Sequence, residues 1–306
     1  MATVVPTALE MPEELQVVGA GEELPEQVTL WQDAWRRLTR NRMAVIGLFI
    51  IAIFVVTALV SFVWTPYPTW RQALGPTYQG PTLLHPFGLD DYGRDLLSRV
   101  MGGAAIALGV GVGASTLAST IGIVLGLVAG FYRGTIDWGI SLLINISYGV
   151  PDLLIALILV VLIGRGIQNI ILAISVTAWL GMARLVRGQT LALREREFVE
   201  AARSIGTKNL KILTRHILPN ALGPIVVQAT YLVPAAIIFE AFLSLLGLGI
   251  PPPAPSWGSM ASEGYKALQI APHIVLVPCL ALSLTVLAFN WVGDGLRDAI
   301  DPRMRR

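Results

Sequence analysis

The chain has 306 residues, of which 54% are hydrophobic and 14% charged, and its mean hydropathy is +0.67. Soluble domains carry about 25% charged residues, so this composition excludes an ordinary water-soluble fold and makes the bilayer the expected solvent. A formal charge of +2 gives no footprint for nucleic acid, and the lone cysteine, Cys279, excludes an intrachain disulfide or a cysteine metal cage.

Residues 1–30 carry Glu10, Glu13, Glu14, Glu22, Glu23 and Glu26 with no Lys or Arg, and prolines punctuate them. Such a segment cannot bury enough apolar surface to order itself, so a disordered acidic tail is expected. It lacks the basic start and early apolar run of a signal peptide. Residues 31–64 pair a basic stretch (Arg36, Arg37, Arg40, Arg42, with Trp31 and Trp35) with an apolar run from Ala44 to Trp64. About 20 apolar residues cross a bilayer, so this run is the first expected span, and the tryptophans and arginines read as interfacial anchors.

Residues 65–100 form a polar segment rich in Pro, Gly and Tyr, followed by a core over 101–299 and a short tail over 300–306. Within the core, apolar runs at Met101–Phe131, Trp138–Ile163, Gln168–Met182, Ala221–Leu248 and Pro272–Val292 bring the expected spans to six. Along the second, Ala118, Gly122, Gly126 and Gly130 repeat every four residues and make a ridge of small side chains that lets a neighbouring helix approach. Lys and Arg are asymmetric: with the N-terminus inside, 17 of the 22 fall in inside segments. That split predicts both termini on the cytoplasmic side, with residues 65–98 and 249–271 outside.

The longest inside connection runs over residues 184–219. Phe198, Ala201, Ala202 and Ile205 recur at helical spacing, Gly206 is placed to stop that helix, and Thr207 to cap a second one striped by Leu210, Leu213 and Ile217. An amphipathic hairpin between two spans can lie on lipid headgroups or dock one face into a groove of a soluble partner. Inside the apolar runs stand Asp152, Gln228, Tyr231 and Glu240. Polar groups at that depth are costly, so they either line a translocation path or gate or make interhelical hydrogen bonds. Pro151, Pro224, Pro234 and Pro278 are expected to kink or open their helices.

No P-loop is present: the lysines Lys208, Lys211 and Lys266 are followed by Asn209, Ile212 and Ala267, not by Ser or Thr. The three histidines, His85, His216 and His273, are far apart in sequence and read as scattered polar side chains, not metal ligands. No catalytic residue is assigned.

Glu200-Ala201-Ala202, three residues, Gly206, and then Leu218-Pro219 resemble the EAA loop of ABC-importer permeases, with His216 standing where the general pattern has isoleucine. The stretches His85–Arg99, Glu240–Gly258 and Leu287–Pro302 are similar to the C-type permeases of dipeptide and oligopeptide importers. The resemblance covers residues 31–303. It implies an all-α integral membrane protein with six transmembrane helices and the type I ABC-importer permease fold, in a bacterial or archaeal inner membrane. It also implies a homologous second permease, two ATPase subunits that hold ATP and Mg, and an extracytoplasmic binding protein. Glu200, Ala201, Ala202, Gly206, Leu218 and Pro219 would then couple this chain to an ATPase subunit. Peptide is the implied cargo. Nickel or an oligosaccharide on the same architecture, or less readily a secondary transporter with its internal repeats, are the alternatives.

Overall fold

The computed structural model describes residues 30–300; the expected acidic tail and residues 301–306 lie outside the described residues. The chain order is α1 (Leu30–Arg40), α2 (Arg42–Ser61), α3 (Leu96–Tyr132), α4 (Gly134–Tyr148), α5 (Asp152–Ile163), α6 (Ile167–Leu193), α7 (Glu197–Ser204), α8 (Asn209–Ile212), a π turn over Leu213–Ile217, α9 (Leu218–Leu245), α10 (Trp257–Tyr265) and α11 (His273–Ile300). Among the described residues β pairing is limited to one bridge, Leu89 with Asp95.

Among the described residues, five helical stretches are long and apolar enough to cross a membrane: α2, α3, α6, the run from α8 through α9, and α11. The third expected span is not a single helix. α4 and α5 pass the same test only together, and they are bent by 89°. Pro151 is the cause at the sequence level: it cannot donate to the ladder and biases the preceding residue away from helical backbone. α4 ends at Tyr148, and α5 restarts with Pro151 as its N-cap. By contrast α9 continues through Pro224 and Pro234, and α11 through Pro278. The fourth span is longer than its apolar run suggested, because α6 continues past Met182 to Leu193 and absorbs the start of the expected loop.

The centre of the bundle is the contact of α3 with α6. A methyl on Gly122 would stand 2.6 Å from Met182 Cβ, one on Gly126 2.6 Å from Ala183 O, and one on Gly130 2.7 Å from Thr190 Cβ. Hydrocarbon tails are as apolar as leucine, so helices in a membrane associate through close packing, and a bare backbone ridge is what allows it. Ala118, Met182, Ala183, Val186 and Thr190 are buried at this seam. Around it, α9 packs on α3 and α6, and α11 packs on α9. α2 lies outside against α11 and α3, with Phe49, Val56 and Leu59 projecting outward. Its start is fixed by Asn41, whose side chain accepts from the amides of Met43 and Ala44.

The polar segment over residues 65–95 is a folded cap at the start of α3. Asp95 caps that helix: its Oδ2 accepts from the Ser98 amide at 2.8 Å and the Ser98 hydroxyl at 2.7 Å, while its Oδ1 lies 2.9 Å from His85 Nδ1. Arg94 reaches Asp90 at 2.5 Å and Glu263 of α10 at 2.8 Å, and Arg99 of α3 reaches the same Glu263 oxygen at 3.1 Å. Burial, and then the Asp90 carboxylate beside it, push the neighbouring Asp91 carboxyl above its ordinary value. Trp257 completes the join, donating from Nε1 to Val100 O at 3.0 Å with Phe54 edge-on to its ring. Cap, α3 and α10 are thus one packed unit.

The α3–α6 seam sets a stability test. Gly126→Leu overfills a contact that already lies at van der Waals limits, and overpacking costs about 1–3 kcal/mol. Thermal unfolding of the detergent-solubilised chain should show a lower Tm for Gly126→Leu. Gly139→Ala on α4, where no atom stands within 4 Å of the added carbon, should leave Tm unchanged or slightly raised.

Candidate functional site: the loop at the end of the bundle and the polar groove above it

α3 begins at the cap and ends at Tyr132, so the α7–α8 loop, which packs on Phe131, sits at the opposite end of the bundle. α7 is a short helix closed by a Schellman arrangement. The Thr207 amide donates to Ala202 O at 3.0 Å and the Gly206 amide to Arg203 O at 2.9 Å. Gly206 has φ +76°, a left-handed value that side chains with a Cβ rarely adopt. The sequence expectation for Gly206 therefore has a backbone reason. Thr207 does not cap α8: Lys208 occupies the N-cap of that helix with no side-chain bond. The expected second helix is only four residues long and runs through the π turn into α9.

The apolar residues of this loop divide in two. Val199 and Ala202 point inward and pack with Ile212, Leu213 and Ile217 against Phe131. Phe198, Ala201 and Ile205 point outward, and Leu210 stands exposed beside them. The expectation of one face made by Phe198, Ala201, Ala202 and Ile205 is corrected accordingly: Val199, unassigned in the sequence, takes the inner position next to Ala202. A helix has room for both stripes because residues three and four apart share a face, and Val199–Ala202 and Phe198–Ala201–Ile205 are two such sets. Of the other expected loop residues, Glu200, Gly206 and Pro219 are exposed and Leu218 is half-buried. Arg203 lies over the Phe131 ring at 5.4 Å, and Arg194 donates to Phe131 O. The loop is therefore fastened to the ends of α3 and α6.

The four polar residues singled out within the apolar runs go to different places. Glu240 is 1% exposed and accepts from Ser244 Oγ at 2.7 Å, which lies 3.2 Å from Ser256 Oγ. It ties α9 to the N-cap of α10. Tyr231 donates to Asp294 of α11 at 2.5 Å and lies against Gly293. Asp152 is exposed as the first residue of α5, where the helix N-terminus favours a carboxylate. Gln228 is half-buried, and its Nε2 lies with Tyr148 Oη beside Gly181.

That last neighbourhood is larger than the sequence reading found. Asp137, Ser141, Asn145 and Tyr148 stand on α4 at spacings of four, four and three, one continuous polar stripe. Facing it on α6, Arg187 binds Asp137 through Nε at 2.5 Å and Nη2 at 2.7 Å. Arg184 lies 4.4 Å from the centroid of the Tyr148 ring and donates to Asn145 Oδ1 at 3.4 Å. Ser141, Ile144, Asn145, Arg184 and Arg187 line a cavity of about 400 Å³. The helical period of the polar residues is present in the sequence. It is obscured there because the third span reads as one apolar run and Arg184 falls at the start of a polar connection.

The family described as the binding-protein-dependent transport system inner membrane component matches residues 122–306, and the N-terminal transmembrane domain of oligopeptide transport permease C matches residues 29–81. The dipeptide transport system permease protein of Bacillus subtilis is 45% identical over 277 residues, covering 90% of this chain and 86% of the relative. The oligopeptide transport system permease protein of the same organism is 39% identical, covering 94% and 95%. A glutathione transport system permease protein of Escherichia coli is 43% identical, covering 92% and 93%. Among solved structures, a chain of the inward-facing MetNI methionine ABC transporter aligns with a TM-score of 0.53 at 21% identity, covering 66% of this chain and 96% of that one, a likeness of fold. An all-helical membrane bundle with an EAA-type loop at one end, matched along nearly its whole length, belongs to the binding-protein-dependent transport system inner membrane component family, the permease subunits of ABC importers.

Proposed function

We propose that this chain forms one half of the translocation path of an ATP-driven importer of di- or oligopeptides. Its termini are cytoplasmic, its α7–α8 loop sits in a cleft of an ATPase subunit, and its cap faces an extracytoplasmic binding protein. A homologous permease completes the path, and two ATPase subunits hold ATP and Mg. The observation that carries the reading is the outward stripe of Phe198, Ala201 and Ile205 on a loop whose inner stripe is fastened to α3, α6 and α9. Exposed apolar residues on a short rigid helix need a cover, and an amphipathic helix laid in a groove supplies one. Anchoring lets a push on the loop move the whole bundle. Lys and Arg placement supports the orientation. Peptide cargo is supported by the dipeptide, oligopeptide and glutathione relatives, whose named cargoes are all peptides. With no P-loop in the sequence, the reading assigns ATP hydrolysis to the partners.

Three outcomes test it. For orientation, Cys279 is replaced and single cysteines are placed at Leu83 in the cap and Lys208 in the loop, both exposed. An impermeant thiol reagent added to intact cells should label only the Leu83→Cys protein. Labelling of both variants refutes the topology.

For coupling, Ala201→Trp enlarges the outward stripe and leaves the inner packing untouched, so the isolated chain should keep its Tm. Ala202→Trp overfills the loop's own core and should lower Tm, at the ~1–3 kcal/mol typical of overpacking. In a reconstituted complex Ala201→Trp should assemble with the second permease yet lose uptake, together with ATPase stimulation by loaded binding protein. Normal uptake by Ala201→Trp removes the loop from the coupling role.

For the N-terminal tail, deletion of residues 2–28 should leave uptake and stimulated ATPase activity unchanged in the same assay. A loss of either would assign that segment a part in transport.

A further inference from the structure

Arg184 lies nine residues before the end of α6 at Leu193, roughly 14 Å along the axis at 1.5 Å per residue. Asn145 lies eleven residues from the start of α4, roughly 16 Å by the same rise. α6 is 27 residues long, more than the about 20 a bilayer needs, so Arg184 lies toward the loop end of the bundle, where it is exposed. A guanidinium there needs water or an anionic partner beside it. Its neighbour Arg187 is neutralised by Asp137 in a two-bond pair. Arg184 is not: among the described residues no carboxylate lies within ion-pair distance of it. Its interactions are the Tyr148 ring and one long bond to Asn145.

The surroundings say which way this charge faces. Off the polar stripe, α4 exposes the apolar side chains of Ile136, Trp138, Leu142, Leu143 and Ile146, as lipid or protein contact requires. Of the stripe, Ser141 and Asn145 line the cavity, while Asp137 and Tyr148 meet Arg187 and Arg184 of α6. Gln228 of α9 extends the same polar surface past Gly181. Ser141 and Asn145 offer neutral hydrogen-bonding groups, and Arg184 the one uncompensated charge. Stacking on Tyr148 holds the guanidinium plane while leaving N–H edges open. That geometry suits a carboxylate, which a guanidinium grips with two parallel bonds.

We propose that Arg184, with Asn145 and Ser141 beside it, is a station for the C-terminal carboxylate of a peptide in transit. This rests on the peptide-importer reading above. A permease that passes peptides of differing side chains has few features common to all of them, and the terminal carboxylate is one. The site is open and its remaining partners are neutral, so the grip is transient, as a path requires.

The test uses the complete reconstituted complex with its binding protein, in vesicles of defined lipid. The probes are one peptide with a free C-terminus and the same peptide C-terminally amidated. Loading of the binding protein with each is measured separately, and uptake is expressed per loaded binding protein. Wild type should favour the free carboxylate. Arg184→Gln should lower uptake of the free peptide on the order of tenfold, as expected for losing a charged hydrogen-bonding partner, and should leave the amide nearly unaffected. Arg184→Lys should restore part of the preference. Equal losses for both peptides, or no loss for either, overturn the proposal while leaving the importer reading intact. A loss that tracks the fraction of anionic lipid in place of the peptide terminus assigns Arg184 to a headgroup phosphate and also overturns it. Absence of any ATP-dependent peptide uptake by the wild-type complex defeats the peptide reading itself.

Discussion

The rest of the chain depends on the close approach of α3 and α6. Inside a bilayer there is no water to drive helices together, so a contact must be won by packing, and small residues permit it. Gly122, Gly126 and Gly130 bring α3 directly against the backbone and short side chains of Met182 to Thr190. This seam fixes both ends of the molecule. At one end α3 carries the cap, through Asp95 and Arg99. At the other it delivers Phe131 to the floor on which the α7–α8 loop rests. Because α6 leads directly into that loop, the same seam positions the loop's base and its inner stripe.

The same low-dielectric surroundings account for the polar groups. Glu240 is satisfied by Ser244 and linked through it to Ser256, and Tyr231 pairs with Asp294; each joins two helices of one chain. Arg187 and Asp137 do likewise between α6 and α4. Removing one member of such a pair leaves a polar group stranded, which is why pairs of this kind hold a packing arrangement in place. Arg184 breaks the pattern. Among the described residues no carboxylate lies within ion-pair distance of it, whereas its neighbour Arg187 is paired with Asp137.

The legibility of this chain in its sequence has a physical limit. Apolar runs reveal the five straight spans, because burial in lipid constrains every residue over about 20 positions. Gly206 and the ridge from Ala118 to Gly130 are readable because only glycine or very small residues satisfy their backbones. The bend at Pro151 is harder to see. Proline inside an apolar run is tolerated in α9 and α11 and breaks the third span. The division of the loop into inner and outer stripes is likewise hidden. Val199 and Phe198 are adjacent apolar residues, and only the position of Phe131 and Ile212 decides which turns inward. The hydroxyls beside Glu240, those of Ser244 and Ser256, come from α9 and from the N-cap of α10, brought together only by the fold.

Continuous packing constrains how such a permease can move. Cap, α3, α6, α9 and loop are joined side chain to side chain, so bending within this body would open contacts that a bilayer does not replace. Packed interfaces switch between discrete arrangements in place of deforming smoothly. The economical motion is therefore movement of this body as a whole, without bending inside it. α4 and α5 are the exception. They are joined through an 89° bend, and α4 packs one face on α3 and α6 while much of the rest stays exposed. The polar stripe lies on α4. A groove whose one wall is rigid α6 and whose other wall is α4 can widen without breaking the seam that holds the molecule together.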